Sequence, residues 1–216
     1  GLKGETWHTI LETAIAVVKL EPDFVRIYPV LVIENTELAD QYRSGEYKPL
    51  STEQAIRYCA FLKEWFEQHN IEVIRTGLQS TEELDSGNSL VAGPYEPAMG
   101  ELVVNEQYKQ RIERCIDEHL SSENLLGKQN SYNFSHFDYY HTHKVGCRFY
   151  SDSGDILMKH RIVISYPRSS TSKVRGLKNR NILYFQETYP QFSIDWFEDS
   201  TRNTVRCCID GLQYVL

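Results

Sequence analysis

A strand–helix–strand spacing in the first third of the chain constrains its fold more than any other feature. Phe24 to Ile33 is nearly continuous apolar (Val25, Ile27, Tyr28, Val30, Leu31, Val32, Ile33), which predicts a strand buried on both faces. Ser51 follows, with Gln54 placed to complete a capping box, and opens a helix reaching about His69. Its apolar side is Ala55, Tyr58, Cys59, Leu62 and Phe66, and Ile71 to Thr76 is a second β-rich run. A strand that returns after a helix at this distance lies parallel to the first, across a right-handed connection. Ahead of this unit, Thr9 to Lys19 predicts an amphipathic helix with Ile10, Ala14, Val17 and Val18 on one face, broken by Glu21-Pro22-Asp23. Asn35-Thr36 is placed to cap a short helix through Tyr42.

The pattern then changes. Residues 80–105 read as loop-rich, with Gly87, Gly93, Pro94, Pro97 and Gly100. Tyr108 to Leu120 predicts a polar helix with Ile112, Cys115, Ile116 and Leu120 inward, and Ser121 to Ser131 reads as a linker. Val145–Tyr150 and Ile156–Tyr166 flank Ser151-Asp152-Ser153-Gly154-Asp155, a hairpin signal. Lys173 to Tyr189 predicts a helix, basic at its start, and Phe192–Glu198 and Val205–Ile209 two more strands. The expected organisation is an α/β part over residues 1–125 and a small α+β module over 132–216. A length of 216 residues suffices for two such domains.

The net charge of −7 is unevenly spread. Residues 1–130 hold 12 Lys/Arg against 22 Asp/Glu, whereas 131–216 hold 11 against 8. Arg161, Arg168, Lys173, Arg175, Lys178 and Arg180 fall in a stretch with no acidic residue, so the second part is locally basic. No apolar run reaches the roughly 18 residues of a membrane span, and no basic-then-apolar leader opens the chain. Five cysteines at irregular spacing do not make a secreted disulfide framework, so a reducing, cytoplasmic location is expected. The first residue is Gly rather than Met, which suits a processed chain or a piece of a longer one.

Several ordered motifs carry a family resemblance. Gly1-Leu-Lys-Gly-Glu-Thr6 leads into the first helix. Val25-Arg-Ile-Tyr-Pro-Val-Leu-Val-Ile33, Asn35-Thr-Glu-Leu38 and Tyr47-Lys-Pro-Leu-Ser51 follow, then Ile74-Arg-Thr-Gly-Leu-Gln79, Val91-Ala-Gly-Pro-Tyr95 and Gly100-Glu-Leu-Val103. Together they resemble the late barrel strands of radical S-adenosylmethionine (SAM) enzymes. The likeness is closest to proteins related to the catalytic subunit of elongator, and looser to oxygen-independent coproporphyrinogen oxidases. Lys3 stands where the pattern has Pro, and Asn35 where it has Gly. The resemblance implies the last strands and helices of a partial parallel β/α barrel, in a parent enzyme that uses SAM and a [4Fe–4S] cluster. It places Gly1 and Gly4 at the cofactor wall, with Ile27, Tyr28 and Pro29 near the adenine. Arg75 and Gln79 would face substrate. Read from the residues alone, the glycines equally suit a tight turn, Tyr28 a core aromatic and Arg75 a salt-bridged surface position.

Two later constellations stand out. Asn133-Phe-Ser-His136-Phe-Asp138-Tyr-Tyr-His141-Thr-His143-Lys-Val-Gly-Cys147 gathers His136, Asp138, His141, His143 and Cys147, donors that suit zinc or iron, at a spacing that matches no established motif. An aromatic-rich connecting segment is the other reading. Ser172-Lys-Val-Arg-Gly-Leu-Lys-Asn-Arg-Asn-Ile182 is similar to the core of a KH-type RNA-binding fold, in which a Gly-bearing loop between helices clamps a nucleic-acid backbone. Asn179 stands where G-x-x-G needs its second Gly, and Asn tolerates left-handed backbone well. Lys173, Arg175, Gly176, Lys178 and Arg180 are then the RNA contacts. The alternative is a basic face paired with the acidic first part.

The reading that follows is the C-terminal segment of an elongator-like radical SAM protein acting on RNA, tRNA by analogy, and completed by the N-terminal part of the barrel. The alternatives are a non-catalytic RNA-binding or scaffold fragment and a metal module around His136–Cys147. No catalytic residue is assigned. Cys59, Cys115, Cys147, Cys207 and Cys208 offer no C-x3-C-x2-C spacing, and thiolates at set positions are what a cluster requires. The isolated chain is therefore inactive alone and takes up no stoichiometric cluster. Anaerobic reconstitution with iron and sulfide analysis tests this, and an EPR-active [4Fe–4S] centre in the 216-residue chain would refute it.

Overall fold

A computed structural model of the chain describes residues 1–87, 89–125 and 161–216. The hairpin expected around Ser151–Asp155 and the His136–Cys147 segment lie outside the described residues. Two compact units emerge. One comprises Gly1–Arg111 with Arg168–Tyr184, and the other Ile112–Pro167 with Phe185–Leu216.

The first unit opens with α1 (Trp7–Lys19), begun by a reciprocal Thr6–Thr9 capping box, and continues through β1 (Phe24–Ile27), β2 (Val32–Ile33) and α2 (Glu37–Arg43), capped by Thr36. The expected single strand from Phe24 to Ile33 is thus two. Pro29 lacks the N–H that a ladder needs. The halves on either side of it pair differently: β1 runs parallel to β3 (Glu72–Thr76), and β2 antiparallel to β4 (Leu90–Ala92). Nor is β1 buried on both faces, since Phe24 is 54% exposed. The crossover between β1 and β3 includes α3 (Thr52–Gln68), which starts at the expected Ser51–Gln54 capping box. Its Ala55, Ile56, Cys59, Ala60 and Phe66 join Ala14, Ile27, Ile71, Met99, Leu102 and Val103 in one core.

The stretch expected to be loop contains a short helix α4 (Glu82–Asp85), strand β4 and the start of the long helix α5 (Met99–Leu125). Pro94 and Pro97 precede this helix instead of interrupting it, which is where Pro costs no hydrogen bond. The helix also runs through Leu125, where a linker was expected from Ser121. Carboxylate Glu64 of α3 accepts from Arg111 Nε (3.1 Å) and Gln107 Nε2 (3.2 Å), holding the two helices together.

The second unit contains β5 (Arg161–Tyr166), β6 (Ser193–Glu198), β7 (Arg206–Ile209) and β8 (Leu212–Val215), in the sheet order β6-β5-β7-β8. β5 and β6 are parallel, and the other pairs antiparallel. Ile162, Ile164 and Tyr166 alternate inward on β5, as do Cys207 and Ile209 on β7. β8 is a strand that the sequence reading did not place. Between β5 and β6, the expected helix from Lys173 to Tyr189 is broken. Helix α6 (Thr171–Arg175) stops at Gly176, a 3-10 turn spans Leu177–Asn179, and α7 (Arg180–Thr188) resumes.

Gly77 ties β3 to α5. Its N–H donates to Ile27 O (2.9 Å), and its φ is +82°. A Cβ there would lie 2.6 Å from Met99 Cβ. Gly77→Ala is expected to destabilise the chain by about 3 kcal/mol, combining left-handed strain with overpacking. That lowers the melting temperature by roughly 10 °C, and thermal denaturation followed by circular dichroism measures it.

Candidate functional site

The residues expected to line a site fall into three places. Gly1 and Gly4 line an open concavity of about 180 Å³ with Lys3, Glu46, Tyr47 and Tyr58. Tyr47 donates its hydroxyl to Gly1 O (2.6 Å), and burial together with the nearby Glu5 raises the phenol above its ordinary pKa. Lys3 Nζ donates to Glu46 (3.1 Å), a bond that lowers the carboxyl below its usual range.

Pro29 belongs to a second, much tighter cleft with Leu31, Gly77, Pro94, Tyr95, Glu96 and Met99, with room for about one water. Ile27 is buried beside it in sequence, whereas Tyr28 is 45% exposed and so is not the core aromatic of the simpler reading. Arg75 and Gln79 are both exposed, and Arg75 donates to Gln79 Oε1 (3.2 Å) and forms no ion pair among the described residues.

A SAM-sized ligand needs several hundred Å³ of enclosed space. Neither cavity supplies it, so these residues offer at most part of a wall. Among the described residues no group of three or more His, Cys, Asp or Glu is arranged to hold a metal. Cys59 sits alone in the core of the first unit. Cys115 of α5 and Cys207 of β7 form a buried thiol pair, and their hydrogen bond, with burial, pushes Cys207 well up.

The third place is the helix–turn–helix of α6 and α7. Lys173, Lys178 and Arg180 are exposed, Arg175 is half-buried, and Gly176 is buried. None of Arg168, Lys173, Lys178 and Arg180 forms an ion pair among the described residues. The alternative in which these cations neutralise the acidic first part therefore has no support in the described geometry. Arg161 is different: it pairs with Asp195 at 2.9 Å. The turn itself is unusual. Gly176 has φ +75°, and Lys178 and Asn179 follow with φ 53° and 61°. Asn179 thus takes the left-handed conformation that its type tolerates.

Two buried amides that sequence reasoning missed hold this turn. Asn105 of α5 and Asn181 of α7 are each 5% exposed. Both look like ordinary polar helix residues in the sequence. The available signal was Asn181 four residues before the buried Phe185, on the inward face of its helix. Lys109 Nζ, one turn from Asn105, sits 4.6 Å above the Tyr184 ring and braces α7 further.

Comparison with known proteins bears on part of the first unit. Residues 22–110 match the radical SAM C-terminal domain. An uncharacterized protein of Methanocaldococcus jannaschii is 42% identical over 64 residues, 29% of this chain and 20% of that protein. A tRNA uridine(34) acetyltransferase of the same organism is 35% identical over 101 residues, and one of Methanocaldococcus infernus 34% over 100. Each of these two alignments covers 44% of this chain and 17% of the relative. The chain thus spans a fifth or less of the length of these relatives. No solved structure matches it.

Thiol chemistry provides a check on the buried cysteines. Burial pushes the Cys59 thiol up to about 12, and a thiol rather than a thiolate is unreactive. In the folded chain at pH ~8, iodoacetamide is expected to leave Cys59 and Cys207 unmodified until denaturant is added. Peptide mass spectrometry reads this, and alkylation of Cys59 as fast as in urea would contradict its placement.

Proposed function

We propose, from the match of residues 22–110 to the radical SAM C-terminal domain, that this chain is the RNA-holding C-terminal portion of a longer radical SAM enzyme that modifies tRNA. In that reading the first unit forms the last strands and helices of a partial β/α barrel, and the N-terminal part of the barrel completes it. SAM and a [4Fe–4S] cluster, held mainly by that other part, supply the radical chemistry. Gly1, Gly4, Ile27, Tyr28 and Pro29 contribute to the cofactor wall, and Arg75 and Gln79 face substrate. The α+β elements of the second part form a KH-like module with the basic turn as its nucleic-acid contact.

The observation that carries this reading is the exposed set Lys173, Lys178 and Arg180 around a glycine turn, free of ion pairs among the described residues. Side chains left free of internal ion pairs are available to phosphate, and each phosphate neutralised releases counterions. The helix start at Arg180 adds backbone N–H groups that favour negative charge. Two relatives are named as tRNA enzymes, which supports tRNA over other polyanions.

The chain is expected to bind a tRNA transcript with an affinity that falls as salt rises. Reversing Lys178→Glu and Arg180→Glu together should weaken binding by roughly 10-fold or more and flatten the salt slope. The circular dichroism spectrum should not change. Fluorescence anisotropy at several salt concentrations measures it. Wild-type affinity in the double variant would remove this turn from the interface.

A further inference from the structure

The Gly176–Asn179 turn does not hold its own shape. Its backbone contains two successive non-glycine residues in the left-handed region, Lys178, for which it is disfavoured, and Asn179, which tolerates it. Three backbone hydrogen bonds are local to the helix–turn–helix: Gly176 N–H to Ser172 O (3.0 Å), Asn179 N–H to Gly176 O (2.9 Å) and Arg180 N–H to Leu177 O.

The rest come from side-chain amides. Asn105 Nδ2 donates to Ser172 O (3.0 Å) and Lys173 O (3.2 Å), two carbonyls of α6. Asn105 Oδ1 accepts from Leu177 N–H (3.0 Å). Asn181 Nδ2 donates to Asn105 O (2.9 Å) and Val174 O (3.0 Å). Only one orientation of the Asn105 amide satisfies this set, because its oxygen meets an N–H and its nitrogen meets carbonyls. Gly176 closes against the same pair: a Cβ there would lie 3.1 Å from three atoms of Asn181. Asn105 of α5 thus bonds both the helix before the turn and the turn itself. It lies within the segment that matches the radical SAM C-terminal domain.

We propose that Asn105 is a positioning residue for nucleic-acid binding. Its amide fixes the Gly176–Asn179 turn in a preformed shape, so that Lys178 and Arg180 meet phosphates without a folding step at the moment of binding. The proposal rests on the RNA reading given above. A loop ordered in advance loses less conformational entropy on association, and affinity rises accordingly. The charge at the site is independent of Asn105, because every cation remains when the amide is removed. Affinity and salt slope should therefore separate.

The test uses the 216-residue chain and a fluorescently labelled tRNA transcript, titrated at several salt concentrations. Asn105→Ala is expected to weaken binding about 10-fold with the salt slope unchanged. Lys178→Glu with Arg180→Glu weakens binding and flattens the slope. Asn105→Leu keeps the approximate volume and adds no charge but loses both donors and the acceptor, and it serves if the alanine variant does not fold. A lower melting temperature with wild-type affinity in the Asn105 variants would mean that the amide is structural only, and the inference falls while the RNA reading stands. Wild-type affinity in the double charge reversal, or no binding by the unmodified chain, overturns the RNA reading and the inference with it. Hydrogen exchange on the unmodified chain gives an independent arm. The amide of Leu177 should be protected before tRNA is added, and protection appearing only with tRNA would show that the RNA, not Asn105, shapes the turn.

Discussion

The buried carboxamide of Asn105 is the interaction on which the candidate site depends. A buried amide left without partners costs about 1–3 kcal/mol per orphaned group. Asn105 has no such orphan, because it spends its oxygen and its nitrogen on the backbone of residues 172–177. The order of dependence then runs outward. Glu64 of α3 accepts from Gln107 and Arg111, and α5 is held against the α/β unit. Although burial opposes its charge, hydrogen bonding to Glu64 keeps the Arg111 guanidinium above its ordinary pKa. With α5 fixed, Asn105 is fixed, and the basic turn has a place relative to the core that contains Met99, Leu102 and Val103.

What could be read from the sequence was what local chemistry decides. The Ser51–Gln54 box and the Thr36 cap are short-range contacts, and both form as written. The parallel pairing of β1 and β3 followed from the helix between them. The absence of acids around Lys178 and Arg180 was visible, but whether they pair with the acidic first part was not.

What could not be read depends on contacts distant in sequence. The apolar run from Phe24 to Ile33 carries no mark of the two different partners its halves take. Pro97 and Gly100 look like breakers, yet Gly100 lies inside α5, where a Cβ would come 3.7 Å from Thr76 O. The periodicity from Lys173 to Tyr189 suits one helix, and the break at Gly176 is supported by amides 71 and 5 positions away, Asn105 and Asn181. A polar residue on a helix reads as solvent-facing until the chain segment that it bonds is known.

The β1–β3 pair has a consequence for how the chain behaves in solution. Among the described residues these two strands pair only with each other, so each presents an open ladder. Phe24 and Ile74 on them are 54% and 41% exposed, and Tyr28 beyond β1 is 45% exposed. An unpaired, apolar ladder is a template for other strands. Against that stands mutual repulsion between molecules carrying −7 each, which vanishes near the sequence pI of about 5.5. Under mild acid, near that pI, charge no longer keeps this edge apart from its copies, and association through β1 and β3 meets less opposition.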